Sequence, residues 1–255
     1  MQLYLATTPD RLAEARQLTA YLAHVAYRIS PDGHLHAQTL PPTLRGGLMV
    51  LGEAEDTAVP TPGPLCRQIL RVCTERNFAG VVLDFPQPPT PDRLAFVQQL
   101  DTMLPRFRRR LYVPETYVAA AQYALILICT ALSGGCLQQR LEEAVGRHSA
   151  PRIALDLQRL AMDFPLPSPS GEGTPIAIPE LQRQITGRSV FFSEELCARY
   201  FTCQKNRHTH FVLYDDAHTL RRKMELAAQL GIQDGFVMLP ETEDLLEDLF
   251  KKERS

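Results

Sequence analysis

The sequence predicts an α/β chain folded as a (β/α)8 TIM-type barrel, irregular in places, with an excursion before the last strand. Three observations predict it. Short apolar runs alternate with helical patterns nearly from end to end, the pattern of a parallel sheet with helices outside. The 255 residues match the usual length of one such barrel. Several apolar runs end in a lone carboxylate, as barrel strands do when they deliver polar groups to the C-terminal rim. An open doubly wound sheet is the rival arrangement.

In order, the strand candidates are Leu3–Ala6, Val25–Ile29, Leu48–Leu51, Val81–Asp84, Leu111–Val113, Leu125–Cys129, Ile153–Leu157, Phe211–Tyr214 and Phe236–Leu239. Thr8-Pro9-Asp10 and Thr90-Pro91-Asp92 each set an N-cap threonine before a proline at the first helical position. Leu65, Ile69, Val72 and Arg76 mark a helix that Asn77 ends, and Leu94, Val97, Leu100 and Leu104 form a stripe to pack on the sheet. Ser133-Gly134-Gly135 opens a helix over Leu137–Val145. It reads as an ordinary strand-to-helix turn, with phosphate binding at the helix start as the rival reading. Ser193-Glu194-Glu195 reads as the cap and first-turn acids of a helix ending near Cys203. Nine strands are one too many for the barrel. The surplus is assigned to an excursion over residues 164–216 within a single domain spanning 1–255. Its opening, Phe164 to Gly173, is rich in Pro, Ser and Gly and is a loop by composition.

Composition narrows the function. A formal net charge of −2 leaves no electrostatic footprint for nucleic acid. The one basic run, Arg106, Arg108, Arg109 and Arg110, reads as a solvated loop. Met1 to Ala6 lacks the length and basic region of a signal peptide, and no apolar run approaches the roughly 20 residues of a membrane span. The expectation is a cytoplasmic protein with no nucleic-acid or membrane partner. Six cysteines in a chain this long do not make a disulfide framework. Cys66 and Cys73 fall on one helix face as small core residues. Cys197, Cys203, His208 and His210 match no compact zinc spacing, and His34 and His36 read as exposed histidines after the Pro31-Asp32-Gly33 turn. No metal or cofactor is expected.

The most informative stretch is Phe78-Ala79-Gly80-Val81-Val82-Leu83-Asp84-Phe85-Pro86-Gln87. Side chains alternate along a strand, so Val82, Asp84 and Pro86 share one face. A carboxylate after such an apolar run needs a partner or a purpose, and Asp84 is assigned to a cleft. The stretch resembles the D-G-x-D-x-D-x-E strand of family 18 glycoside hydrolases, in which those same-face positions are Asp, Asp and Glu. A second segment, His210-Phe-Val-Leu-Tyr-Asp-Asp-Ala-His-Thr-Leu220 continuing through Lys223, Leu230-Gly231 and Gly235 to Leu239, resembles the C-terminal part of the same family. It is most similar to the bacterial spore-associated N-acetylglucosaminidase branch, with its W-F-D-D-x-x-S-L-x-x-K segment. Tyr27-Arg-Ile-Ser-Pro-Asp-Gly33 resembles that branch's second-strand segment. Together the three touch about a third of the chain.

The resemblance implies a barrel acting on N-acetylglucosamine-type glycans. In the family, the substrate's own N-acetyl oxygen attacks the anomeric carbon, an aspartate orients it, and the glutamate is general acid and base. Asp84 holds the aspartate position, but Pro86 stands where the acid belongs and has no titratable group. Ala79 and Val82 replace the two earlier aspartates, and nothing near Cys129-Thr130 matches the family's sixth-strand Tyr-Asp pair. Leu239 stands where a tryptophan usually floors the sugar site, and the chain has no tryptophan. Losing a general acid alone forfeits about 10²–10⁴-fold in rate.

The leading expectation is therefore a family 18-like barrel that has lost family-type catalysis and binds carbohydrate or serves as a scaffold. One alternative is an active glycosidase with a relocated acid, Glu115 first and Asp156 next, working with Asp84. Another is a cytoplasmic protein-interaction module. The catalytic candidates are Asp84, Glu115 and Asp156; the binding candidates are Tyr27, Tyr214, Asp215 and Glu241. Against these stand plainer readings: Asp215 and Asp216 as caps of the next helix, Glu241 as a helix-start acid, Asp156 as a buried acceptor. The expected partners are a glycan or sugar fragment, or another protein.

Overall fold

The computed structural model describes residues 1–53, 61–167, 171–205 and 207–250. Eight parallel strands form the barrel: Gln2–Thr7, Leu22–Ile29, Leu48–Glu53, Gly80–Asp84, Arg110–Pro114, Leu125–Cys129, Ile153–Asp156 and Asp234–Met238. Closure is visible in the register. The first strand pairs with the last, Gln2 opposite Asp234 and Ala6 opposite Met238, and on its other edge with the second, Leu5 opposite Leu22. An open doubly wound sheet would leave two free edges, and this one leaves none. The barrel is irregular at one connection. Between the second and third strands, the short strand Leu35–Ala37 pairs antiparallel with the second where a regular barrel has a helix.

The strands read as continuous apolar runs because both faces are buried. One face fills the barrel, with Tyr4, Ala6, Leu48, Val50, Val82, Tyr112, Ala154 and Phe236. The other face packs under the helices, among them Leu5, Met49, Val81, Leu83, Leu111, Ile126 and Leu155. Inside, Tyr4 stacks on Phe236 with centroids 5.1 Å apart, and Tyr112 meets Phe236 edge-on at 5.0 Å. At the N-terminal pole Arg110 and Tyr112 both donate to Asp234, at 3.0 and 2.8 Å. The lower barrel is therefore packed core, and open space lies at the C-terminal end.

Gly80 starts the fourth strand because nothing larger fits. A Cβ there would lie 2.4 Å from the Arg110 carbonyl oxygen, a backbone atom of the neighbouring strand. Gly80→Ala is expected to cost about 2–3 kcal/mol by forcing the two strands apart, read as a lower urea midpoint at unchanged m-value. A loss under about 0.5 kcal/mol would show that the strands yield freely.

The predicted helix signals mostly appear where expected. Thr90 caps Pro91–Met103, its hydroxyl accepting from the Arg93 amide at 3.3 Å. Asn77, at φ 51°, ends the segment that follows Pro62–Glu75. Thr8 leads into a 3-10 turn, Pro9–Arg11, before the helix Leu12–Leu18, and its side chain makes no capping bond. Among the described residues no helix is long and apolar enough to cross a membrane.

The excursion follows the seventh barrel strand. It is a five-stranded antiparallel sheet in the order Thr174–Pro175, Ala161–Leu166, His208–Tyr214, Ala198–Lys205, Phe191–Ser193. Helix Ile178–Ile185 packs Leu181 against Phe201, Cys203, Val212 and Tyr214. The first strand begins at Ala161, so the sheet includes residues ahead of the expected loop; residues 168–170 of that loop lie outside the described residues. The helix expected after Ser193 is replaced by a hairpin. Phe201 and Cys203 point inward while Thr202 and Gln204 point outward, a period-two pattern that fits a strand. Cys197, at φ 52°, turns the chain between the two strands. Glu194 and Glu195 suit a first helical turn, but that downstream alternation outweighs them.

Candidate functional site

The strand ends build the site. Asp84 closes the fourth strand, and its orientation follows from its neighbour: Phe85 points outward, edge-on to Tyr117 at 5.8 Å and tilted on Phe96 at 6.2 Å. With Phe85 anchored between barrel and helix, Asp84 must face the mouth. Asp156 ends the seventh strand, paired in register with Phe236 and Cys129. Glu241 lies in the short helix Leu239–Thr242 after the eighth strand, and Glu115 follows the fifth. All four carboxylates line one cavity of about 480 Å³ at the barrel mouth, with Pro86, Pro114, Phe236 and Met238.

The electrostatics distinguish these acids. Burial holds the Asp84 carboxyl above its ordinary value. Asp156 is pushed up to about 6, first by burial and then by repulsion from Glu241 and Asp84, against the Gln158 amide that donates to it at 2.7 Å. Glu241 is also raised, by burial and by Asp84, with the Arg159 backbone opposing. Three carboxylates thus crowd one space, and each holds its proton more tightly than it would in water. Glu115 differs. Its oxygens face Arg140 at 2.7 Å and Arg147 at 3.8 Å, so two guanidinium groups already occupy it.

The structure brings Asp84, Glu115, Asp156 and Glu241 together and leaves the other candidates elsewhere. Tyr27 is buried between barrel and helices, edge-on to Phe78 at 5.9 Å. Tyr214 is in the core of the small sheet against Phe201. Asp215 is fully buried, accepting from the Lys223 ammonium at 2.8 Å, the Leu160 amide at 3.0 Å and the Thr219 hydroxyl at 2.8 Å. Asp216 caps helix Ala217–Gln229 in a reciprocal box with Thr219. The Asp-Asp segment is therefore a structural lock. Leu239 is fully buried away from the cavity, and Phe236 and Met238 form its apolar wall instead. The alternation Phe236, Val237, Met238 would have predicted this; the participation of Gln158 and Arg140 had no such signal.

The cysteine and histidine pattern disperses. The Cys197 thiol points to the Thr219 carbonyl at 3.8 Å, Cys203 sits in the small sheet's core, and His210 pairs with Asp163 at 2.7 Å. Among the described residues no group of three or more His, Cys, Asp or Glu side chains is arranged to hold a metal ion.

No protein-family model matches the chain, and no curated protein matches it in sequence. Solved structures do match. The spore cortex-lytic enzyme SleL of Bacillus megaterium aligns with TM-score 0.66 and 20% identity over 100% of this chain and 75% of its own. A family 18 N-acetylglucosaminidase from Paenibacillus barengoltzii aligns at TM-score 0.68 and 15% identity over 98% of both chains. The chain has the family 18 barrel fold. A family 18 chitinase from Cycas revoluta, solved in complex with (GlcNAc)4, extends the likeness at TM-score 0.65 and 12% identity, again over 98% of both chains. Within this family 18 fold, Asp84 lies at the mouth and Pro86 lines the same cavity.

Proposed function

We propose that this barrel binds an N-acetylglucosamine-type glycan at its mouth and no longer hydrolyses it by the family mechanism. One observation carries the reading: Pro86, which falls at the acid's position in the family 18 resemblance and has no titratable group, lines the same cavity as Asp84. The open, acid-lined cavity supports ligand binding over a plain interaction module, because it holds polar groups that a sugar's hydroxyls and amide can satisfy. Phe236 and Met238 offer an apolar wall to a pyranose face.

The test is calorimetric titration with (GlcNAc)4 beside a reducing-end assay. Binding without turnover is expected, and Asp84→Asn should weaken binding about tenfold through a lost charged hydrogen bond. Absence of binding would remove the proposal.

Asp156 favours a second reading, an active glycosidase with a relocated acid. A carboxyl titrating at about 6 beside a second carboxylate is suited to proton donation. Asp156 precedes Glu115 here because Glu115 is tied to Arg140. That reading requires turnover that falls as pH rises through about 6 and disappears in Asp156→Asn.

A further inference from the structure

A second cavity, of about 440 Å³, lies where the barrel rim meets the small sheet. Ala131, Leu160, Met162, Pro175, Ile176 and Ile178 make it largely apolar. It shares two walls with the mouth, Gln158 and Glu241, so the two spaces adjoin through those side chains. Among the described residues its one lining cation is Arg159, which is already engaged. The Arg159 side chain is only 6% exposed, and its guanidinium donates to Asp244 and to the Glu241 carbonyl oxygen. An anionic ligand group would find no free cation there, whereas an alkyl chain would remove apolar surface from water.

We propose that this groove is a second compartment of the site and takes an aliphatic substituent carried by the sugar at the mouth. The ligand class is an amphipathic one, an amino sugar bearing an alkyl or acyl chain. The inference rests on the reading of the mouth as a sugar site. Barrel and excursion then act together: the strand ends hold the polar ring, and Met162, Ile176 and Ile178 from the small sheet and its flank receive the chain.

The experiment compares methyl and hexyl β-glycosides of N-acetylglucosamine by calorimetric titration, below the concentration at which the hexyl compound self-associates. The hexyl glycoside should bind about tenfold tighter or better, since five added methylenes leave water. Ile176→Ser and, separately, Met162→Ser should shrink that advantage to about threefold or less while methyl glycoside affinity stays unchanged. Unchanged methyl binding also reports that each variant is folded. Equal affinity for the two glycosides in the unaltered protein would overturn the second compartment and leave the sugar site standing. A hexyl advantage that survives both substitutions would likewise overturn it. Failure of both glycosides to bind would remove the sugar site and the compartment together.

Discussion

Lys223→Met lowers stability by about 3–5 kcal/mol, the largest single-site loss expected in this chain. Lys223 and Asp215 are both wholly buried, with their charged atoms 2.8 Å apart. The ammonium also donates to the Thr130 carbonyl at 3.1 Å, and Asp215 receives the Leu160 amide and the Thr219 hydroxyl. Three parts of the fold meet here: the end of the sixth barrel strand, the entry to the small sheet and the helix Ala217–Gln229. Methionine fills the same volume but leaves a carboxylate in the core without its cation. Because the damage is the orphaned charge, Asp215→Asn combined with Lys223→Met should recover most of the loss. With its amide oxygen at the Oδ2 place, asparagine still accepts from the Leu160 amide, and its NH2 donates to the Thr219 hydroxyl oxygen, whose own hydrogen turns to the Asp216 carbonyl. Urea unfolding of both variants and the parent at pH 7 checks this. A single-variant loss below about 1 kcal/mol, or a double variant no better than the single, would contradict the account.

Asp156→Asn should do the opposite and stabilise the protein by about 2 kcal/mol at pH 7 to 8. The ordinary value for this carboxyl is 3.8, and in the fold it rises to about 6. Between those pH values the folded state holds the proton more tightly than the unfolded chain does. Stability therefore falls as pH rises through that window, and above about 6 the full penalty of an ionised, crowded Asp156 is present. Asparagine removes the charge and keeps an oxygen to accept from Gln158. The gain, discounted for the partly open rim, should vanish below about pH 4, where Asp156 is protonated in both states. Unfolding midpoints measured from pH 4 to 8 decide it; a gain independent of pH would mean that packing, and not charge, is responsible. The same variant separates the two functional readings, since a binding site tolerates the change and a relocated acid does not.

Much of this was legible in the sequence. The barrel strands announced themselves because burial on two faces leaves almost no polar residue inside them, as in Gly80–Asp84 or Leu125–Cys129. The mouth acids Asp84 and Asp156 were legible for the same reason: each is the first carboxylate after an apolar strand. Glu241 and Glu115 follow strand ends and reach the same cavity. The hairpin Phe191–Ser193 with Ala198–Lys205 was misread because two glutamates resembled a first helical turn, while its strand character comes from seven-residue pairing with His208–Tyr214. Asp215 and Tyr214 were misplaced for a related reason. Thr219 and Lys223 lie one turn apart in helix Ala217–Gln229, with Asp215 just ahead of its cap Asp216, and that spacing serves a buried lock rather than a ligand.

By itself, the sequence determined the barrel, the position of Asp84 at a strand end and the presence of Pro86 on the same strand face, because these depend on local periodicity and residue identity. The tertiary structure alone decided which acids face one another, that Glu115 is held by Arg140, and that the small sheet adds an apolar groove beside the mouth. Those features join residues far apart in the chain, from Asp84 to Glu241, and their charges and surfaces act on one another only once the barrel has closed.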